Sequence, residues 1–272
     1  MDASTLVPVG IHHPLLQQYI AIKQQAKPQP ENVAAVEGAW LVALALQAGL
    51  EFKSLFVCPE LLRGETCRNL AGQIMATGAT SYIVSERVMR KIAEWEGPDG
   101  LAAIVALPRF GWHDIALRAN NRLLVLDGLE IPGNIGTIIR CADGAGADAV
   151  IITNRKKRLS HPRLIHASMG AAFSFPIIES DASEAIAWLK RNAFTIIATE
   201  TGAPLSYREA SYHGRVAVVT GNERRGISRG WQEARNMSVS IPMHGRADSL
   251  NVGNAAVLLL YEIKYQQQQV TR

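Results

Sequence analysis

The sequence has few cysteines, and they lack the spacing that a disulfide framework or a zinc site requires. Cys58, Cys67 and Cys141 are odd in number and form no C-x-x-C pair. The histidines do not have metal-ligand spacing either, so we expect no bound metal. Unpaired thiols are typical of reducing compartments, and the cytoplasm is therefore the expected location.

Long hydrophobic runs are also missing. The longest of them, such as residues 39–48, are too short to span a bilayer, and no cationic stretch followed by an apolar run marks a signal peptide. We therefore expect a soluble protein that has no membrane partner. Aromatic residues make up only 6%, but 48% of the 272 residues are hydrophobic and 19% are charged, so the chain can bury a sizeable core.

The excess of positive charge is small. Lys and Arg number 28 against 24 Asp and Glu, which gives a formal net charge of +4. Such a surplus permits a polyanionic partner but does not require one.

The order of segments indicates two α/β domains. We expect a first domain over residues 1–111, a linker over 112–121, and a larger domain over 122–272. In the first domain the hydrophobic pattern predicts alternating helices and strands, including a helix over 34–48 and a strand over 101–107.

The second domain begins with a nearly all-apolar strand, and further strands alternate with helices after it. Strands buried on both faces and separated by helices favour a parallel sheet with right-handed crossovers. The clearest strands are predicted over residues 122–126, 149–153, 195–199 and 216–220, and the clearest helix over 252–268.

Three segments of the second domain carry most of the polar chemistry, and each follows a predicted strand. They are residues 131–140 (IPGNIGTIIR), 218–226 (VVTGNERRG) and 241–254 (IPMHGRADSLNVGN). Open α/β sheets bind ligands at the carboxyl ends of their strands, so these segments are candidates for one site.

Each segment alone also has a purely structural interpretation. Asn134 can cap the helix that follows it, and Ser249 or Asn251 can cap the last helix. Gly221 permits the close approach of a ligand to the backbone, but a solvent-exposed turn would look the same. A dinucleotide site is disfavoured, because G-x-G-x-x-G is absent and the next strand does not end in an acid that would hold a ribose.

Together, the three segments resemble the motifs of the SpoU/TrmH family of RNA ribose 2′-O-methyltransferases. The family pattern is N-x-G-x-x-x-R, then G-x-E-x-x-G, then I-P-M-x-G-x-x-x-S-L-N-V, and this chain carries all three in that order. The resemblance covers residues 121–265. The chain departs from many relatives at His166, where they have arginine, and at Gly253 and Asn254.

The resemblance implies an enzyme that transfers the methyl group of S-adenosylmethionine to a ribose 2′-hydroxyl of RNA. It implies an α/β fold whose C-terminal parallel sheet has helices on both faces and a deep trefoil knot. It also implies a smaller N-terminal α/β domain that binds RNA, and a homodimer with the active site at or near the interface. The expected partner is RNA, not DNA.

The resemblance assigns site residues by position. Catalytic roles fall on Asn134, Arg140, Glu223, Ser249 and Asn251. Contacts to the cofactor, largely through backbone groups, fall on Thr199, Gly221, Asn222, Ile241, Met243 and Leu250. Arg140 would act either as the base that takes the hydroxyl proton or as a bidentate clamp on the adjacent phosphate. The second role suits a guanidinium better, because its pKa exceeds about 12.

Basic residues outside the motifs are candidates for contacts to RNA. They are Lys23, Arg155, Lys156, Lys157, Arg163 and His166, with Lys27 as a further basic spot in the first domain. The run at 155–158 is interpreted equally well as a solvated face or as a phosphate-steering patch.

Ribosomal RNA is the favoured substrate, because the two-domain layout resembles rRNA-modifying and thiopeptide-resistance relatives. A tRNA substrate is the nearest alternative. A non-catalytic RNA-binding or ribosome-assembly protein that kept the fold is an alternative of another class, and a nucleotide-dependent oxidoreductase is a third.

Overall fold

The structure is a computed structural model that describes residues 6–25, 32–94 and 96–269. The chain forms two compact units, and their boundary does not follow the sequence order throughout. The first unit comprises Met1–Pro108 and Leu159–Ser174, and the second comprises Arg109–Arg158 and Phe175–Arg272. Within the described residues, no helix is both long enough and apolar enough to cross a membrane. Lys27 lies outside the described residues.

The first unit is built on a mixed five-stranded sheet. In chain order its strands are β1 (Val7–Pro8), β2 (Val33–Glu37), β3 (Phe52–Val57), β4 (Thr80–Ile83) and β5 (Leu101–Ala106). They are arranged in the order β1-β4-β3-β5-β2, and β5 is antiparallel to both of its neighbours. The helices of this unit are α1 (Pro14–Lys23), α2 (Ala39–Gln47), α3 (Gly64–Ala76), α4 (Glu86–Ile92) and α6 (Pro162–Ala167).

The helix predicted over residues 34–48 is wrong in its first part. Residues Val33–Glu37 form strand β2, which pairs with β5, and the helix begins only at Ala39. Gly38 separates the two with a φ of +88°, and its backbone N–H donates to the Leu101 carbonyl. A short apolar run has no period that distinguishes strand from helix, so pairing with β5 decides the outcome.

The second unit is built on a parallel seven-stranded sheet. Its strands are β6 (Asn121–Asp127), β7 (Ala149–Thr153), β8 (Ile177–Glu179), β9 (Thr195–Thr199), β10 (Leu205–Ser206), β11 (Arg215–Gly221) and β12 (Met237–Ser240). They are arranged in the order β10-β12-β9-β11-β6-β7-β8, and every pair is parallel. The prediction of a parallel α/β sheet in this half of the chain is therefore confirmed.

Helices cover both faces of this sheet. They are α5 (Pro132–Ala145), α7 (Ala182–Arg191), α8 (Arg229–Ala234) and α9 (Val252–Gln269). Alternate residues of β6, such as Leu123 and Val125, share a core with Trp188 of α7 and Trp231 of α8. The intervening residues of β6 are buried as well, on the side where α5 and α9 pack together and α9 contacts β6 and β11.

Residues 112–121, predicted as a linker, lie in the second unit. Ile115 is buried in its core, and the Trp112 ring stacks on Trp188 with centroids 4.8 Å apart. Trp112 Nε1 also donates to Glu184 Oε1 over 2.8 Å. These contacts attach the segment to the second unit.

Candidate active site

An open cavity lies at the carboxyl ends of three neighbouring strands of the second unit. Strands β9, β11 and β12 end at Thr199, Gly221 and Ser240, and all three residues line the cavity. Its volume of about 670 Å³ falls within the range of small-molecule and cofactor sites. The position follows from the parallel sheet, because the loops after these strands leave from the same edge.

The second and third motifs form most of the cavity wall. All six residues predicted to contact the cofactor line it: Thr199, Gly221, Asn222, Ile241, Met243 and Leu250. Two of the residues predicted to be catalytic, Glu223 and Ser249, line it as well. Val252, Ala255 and Leu259 of α9 add apolar surface. The wall therefore combines an apolar slot with polar side chains.

A chain of hydrogen bonds joins the three motifs. Asn134 Nδ2 donates to Glu223 Oε1 over 2.8 Å, and Asn251 Nδ2 donates to Asn134 Oδ1 over 3.4 Å. Asn251 Oδ1 in turn accepts from the backbone N–H of Gly253 over 2.9 Å and so caps helix α9. Ser249 Oγ donates to the neighbouring Asp248 carboxylate.

The prediction that Asn134 caps its helix is wrong. Helix α5 begins two residues earlier, at Pro132, and its first turn has no side-chain cap. Proline is favoured at the first helical position, because it lacks the N–H that would stay unpaired there. Asn134 is therefore inside the helix, and its amide is available to bridge Glu223 and Asn251.

Gly221 is required by the turn of its own chain. A Cβ at this position would lie 2.2 Å from the carbonyl carbon of Gly226 and 2.4 Å from the nitrogen of Ile227. Asn222 and Gly226 exchange both backbone hydrogen bonds across this turn. Asn222 also accepts from the backbone N–H groups of Arg224 and Arg225. The close approach expected of a ligand is thus made by the second motif itself.

Arg140 is not among the residues that line this cavity. It lies on the exposed side of α5, and among the described residues its guanidinium makes no hydrogen bond or ion pair. Burial raises the pKa of the neighbouring Cys141 thiol, and the charge of Arg140 opposes this rise only in part. The thiol therefore stays protonated at neutral pH and cannot serve as a base.

The predicted RNA-contacting residues of the second unit have different environments. Arg155 is held by the Glu179 carboxylate, with Nη1 at 2.7 and 2.6 Å from its two oxygens. Lys156 and Lys157 are exposed, and neither makes an ion pair with a described residue. Lys156 and Lys157 are therefore better placed than Arg155 to meet a phosphate.

The other three predicted RNA contacts lie in the first unit. Lys23 is only 13% exposed in its side chain, and its Nζ lies 2.7 Å from Glu37 Oε2 and donates to the Ile92 carbonyl. The ammonium group of Lys23 thus has partners within the protein. A contact between Lys23 and RNA stays a prediction. Arg163 and His166 are exposed on helix α6.

Asp127 supports the loop of the second motif, a role that the motifs did not indicate. It is 2% exposed at the end of β6, just before the first motif. Its carboxylate accepts from Thr153 Oγ1, from Asn154 Nδ2 and, over 2.6 Å, from the backbone N–H of Ser228. It thereby fixes the end of the second-motif loop to β6 and β7. The sequence signal for it is a lone acid directly after the apolar run 123–126.

Comparisons with known proteins agree with this geometry. The SpoU rRNA Methylase family model matches residues 121–261, and the MRM3-like substrate binding domain model matches residues 16–103. A 23S rRNA (guanosine(2553)-2′-O)-methyltransferase, RlmP, from Bacillus subtilis is 29% identical over 235 residues, which are 86% of this chain and 89% of the relative.

Solved structures are similar over nearly the whole chain. A crystal structure of an RNA 2′-O ribose methyltransferase is 31% identical with a TM-score of 0.77, and the match covers 96% of this chain and 99% of the other. An AdoMet-bound rRNA methyltransferase from Sinorhizobium meliloti is 26% identical with a TM-score of 0.81, over 94% and 96% of the two chains. The chain thus belongs to the SpoU rRNA methylase family of S-adenosylmethionine-dependent RNA 2′-O-methyltransferases, as its three motifs predicted.

Proposed function

We propose that the cavity at the ends of β9, β11 and β12 binds S-adenosylmethionine, and that the chain methylates a ribose 2′-hydroxyl of ribosomal RNA. The observation that carries this proposal is the hydrogen-bonded chain from Glu223 through Asn134 to Asn251, which joins the three motifs beside the cavity. Chemistry that needs a cofactor and a sugar hydroxyl side by side requires such convergence.

The residues of the cavity fit the cofactor. Ile241, Met243 and Leu250 offer an apolar slot, and the backbone around Thr199 and Gly221 offers the donors and acceptors that an adenine ring needs. When bound, the cofactor supplies a methyl group activated on a cationic sulfur. The protein has to hold the attacking ribose oxygen in line with that group, and alignment alone can lower a barrier by about 7–11 kcal/mol.

The polar residues divide the remaining tasks. Arg140 clamps the phosphate beside the target ribose and polarises its hydroxyl, since a guanidinium is a poor base but a good bidentate donor. Asn134 and Ser249 hold the ribose or the arginine, and Glu223 orients Asn134 through their 2.8 Å hydrogen bond. Asn251 braces the loop of the third motif against Asn134.

The choice of ribosomal RNA rests on the relatives. The Bacillus subtilis relative is named for 23S rRNA, and the matched solved structure from Sinorhizobium meliloti for rRNA. An rRNA substrate also fits a cytoplasmic enzyme. A direct test incubates the protein with labelled methyl donor and either rRNA or tRNA, and we expect label in rRNA alone. Calorimetric titration should show binding of S-adenosylmethionine and none of NAD.

We assign the two units different tasks. The first unit recruits RNA, and the second unit, the methyltransferase domain, contains a deep trefoil knot formed by the segment after β12. Family membership supports both features, as do the match of residues 16–103 to a substrate binding domain and the lining of the cavity by that segment.

The enzyme works as a homodimer. Helix α9 exposes an apolar stripe of Leu258, Tyr261 and Tyr265, with Tyr261 51% exposed. A Cβ on Gly144 of α5 would lie 4.0 Å from Tyr261 Oη, and Arg140 is one helical turn before Gly144. A second copy that covers this stripe would bring Arg140 to the interface. Arg140 does not line the cavity of its own chain, but at the interface it can act at the cavity of the other protomer.

Replacing Leu258 and Tyr261 by arginine should convert the dimer to a monomer. Both side chains are exposed in the single chain, so the two charges oppose association without disturbing the core. Sedimentation should show the halved mass, and methyl transfer should fall at least about tenfold with the lost interface. Leu117→Arg, at another exposed apolar residue of the second unit, should remain dimeric. A monomeric wild-type protein would contradict the proposal.

A Lys156→Ala/Lys157→Ala variant tests whether the basic run steers phosphate. Each phosphate contact contributes about 0.7–0.9 to the slope of log affinity against log salt, so the slope should decrease by about 1.5. The measurement is RNA binding over a salt series, and Lys190→Ala/Arg191→Ala on α7 is the control with the same charge change. An unchanged slope would leave the run as a solvated face.

A further inference from the structure

The first unit exposes a tryptophan beside basic side chains. Trp40 lies in the first turn of α2 and is 46% exposed, although indole is among the side chains that gain most from burial. Its ring meets His166 of α6 edge-on, with the two centroids 6.5 Å apart. Nearly half of the Trp40 surface therefore remains accessible to a ligand.

The segment that carries α6 is fitted closely to helix α2. One turn after Trp40, Leu44 packs against Gly170, where a Cβ would lie only 2.9 Å from Leu44 Cδ1. Leu44 follows Trp40 by four residues, and Gly170 follows His166 by four residues. The contacts Trp40–His166 and Leu44–Gly170 therefore lie on the same side of α2, one turn apart. Gly170 also has a φ of +87°, which other residues rarely adopt. The indole and imidazole rings are thus held in register by contacts beneath them.

Arg163 supplies an exposed positive charge on the helix that carries His166. Arg163 lies one turn before His166 on α6, is exposed, and its guanidinium makes no hydrogen bond or ion pair with any described residue. The acids of this region have partners of their own. The Asp99 carboxylate accepts from the backbone N–H of Ala39 over 2.6 Å, and Glu37 and Glu94 lie 2.7 and 3.9 Å from Lys23 Nζ. The small cavity between these groups holds only about 20 Å³, which is too little for anything larger than water.

We propose that Trp40, Arg163 and His166 form a docking surface for an unpaired nucleotide of the RNA substrate. A base stacks on the exposed indole face, and Arg163 binds the adjacent phosphate. Stacking on the indole of Trp40 requires a base with a free face, and the bases inside a duplex are already stacked on both faces. The surface therefore selects single-stranded or looped RNA. This inference rests on the proposed RNA substrate. It adds the requirement that the RNA has an unpaired nucleotide that binds to the first unit, apart from the nucleotide that is methylated.

The test measures binding of a fluorescein-labelled single-stranded RNA of mixed sequence and of the blunt duplex of the same sequence. Trp40→Ala should weaken binding of the single strand about tenfold, as expected for loss of one stacked base, and should leave the duplex unaffected. Trp40→Phe keeps an aromatic face and should restore most of the affinity. Arg163→Ala should lower the salt slope by about 0.7, whereas Arg87→Ala, at an exposed arginine of α4, should not.

The outcomes separate this inference from the proposed function. Equal single-strand binding by Trp40→Ala and wild-type protein would overturn the docking surface, as would an equal loss for the duplex. If Trp40 binds a protein and not RNA, Trp40→Ala should bind the single strand as the wild-type protein does. Methyl transfer to rRNA by wild-type protein would still stand in either case, so failure of the inference does not imply failure of the enzyme assignment.

Discussion

Replacing Arg140 by alanine should reduce turnover about 100-fold or more while the affinity for S-adenosylmethionine stays within about twofold of wild type. Arg140 does not line the cofactor cavity, so its loss leaves the cofactor contacts in place. Its guanidinium has no partner among the described residues of its own chain, and it is therefore available to a substrate phosphate. The measurement is single-turnover methyl transfer together with a calorimetric titration of the cofactor.

Two further variants make the Arg140 experiment specific. Arg140→Lys keeps the charge but loses the bidentate fork, so it should recover only part of the lost rate. Arg191→Ala removes an exposed arginine of α7, a helix that packs on the other face of the sheet, and should turn over normally. Near-normal turnover by Arg140→Ala with normal cofactor binding would contradict the assigned role.

Replacing Gly221 by alanine should weaken cofactor binding strongly. The added Cβ would lie 2.2 Å from a backbone carbon of Gly226, and backbone on both sides of this turn cannot move aside as a flexible side chain can. Overpacking of this kind costs about 1–3 kcal/mol, which corresponds to about a 5- to 150-fold rise in Kd if the displaced loop carries the cofactor contacts. Titration calorimetry with S-adenosylmethionine measures the rise.

Gly245→Ala is the matched control for Gly221→Ala. Gly245 lies in the loop of the third motif, and a Cβ at its position would meet nothing within 4 Å. Its cofactor affinity should therefore equal that of the wild-type protein. If Gly221→Ala bound the cofactor normally and remained folded, the loop after β11 would not be part of the cofactor site.

The elements that were predicted well are those in which the local sequence alone decides between strand and helix. Strands β7 and β9 have the predicted limits, 149–153 and 195–199, because five consecutive apolar or β-branched residues suit a strand buried on both faces. The error over residues 34–48 has the opposite cause. Strand β2 exists because β5 pairs with it from 65 or more residues away, and no local pattern contains that information.

The site was predictable to the extent that its motifs are contiguous. Residues of the second and third motifs meet in one cavity, since each follows a strand of the same sheet edge. The cap predicted for Asn134 failed because Pro132 starts the helix earlier. The internal ion pair of Lys23 and the hydrogen bonds of Asp127 join residues 14 to 101 positions apart, which periodicity cannot indicate.

The most direct test of the proposed enzyme activity is to map the methyl group that wild-type protein transfers from labelled S-adenosylmethionine to unmodified ribosomal RNA. We expect label on a ribose 2′-oxygen, so the linkage after that nucleotide should resist alkaline hydrolysis, which requires a free 2′-hydroxyl. Label on a base, or no label in any RNA although the cofactor binds, would contradict it.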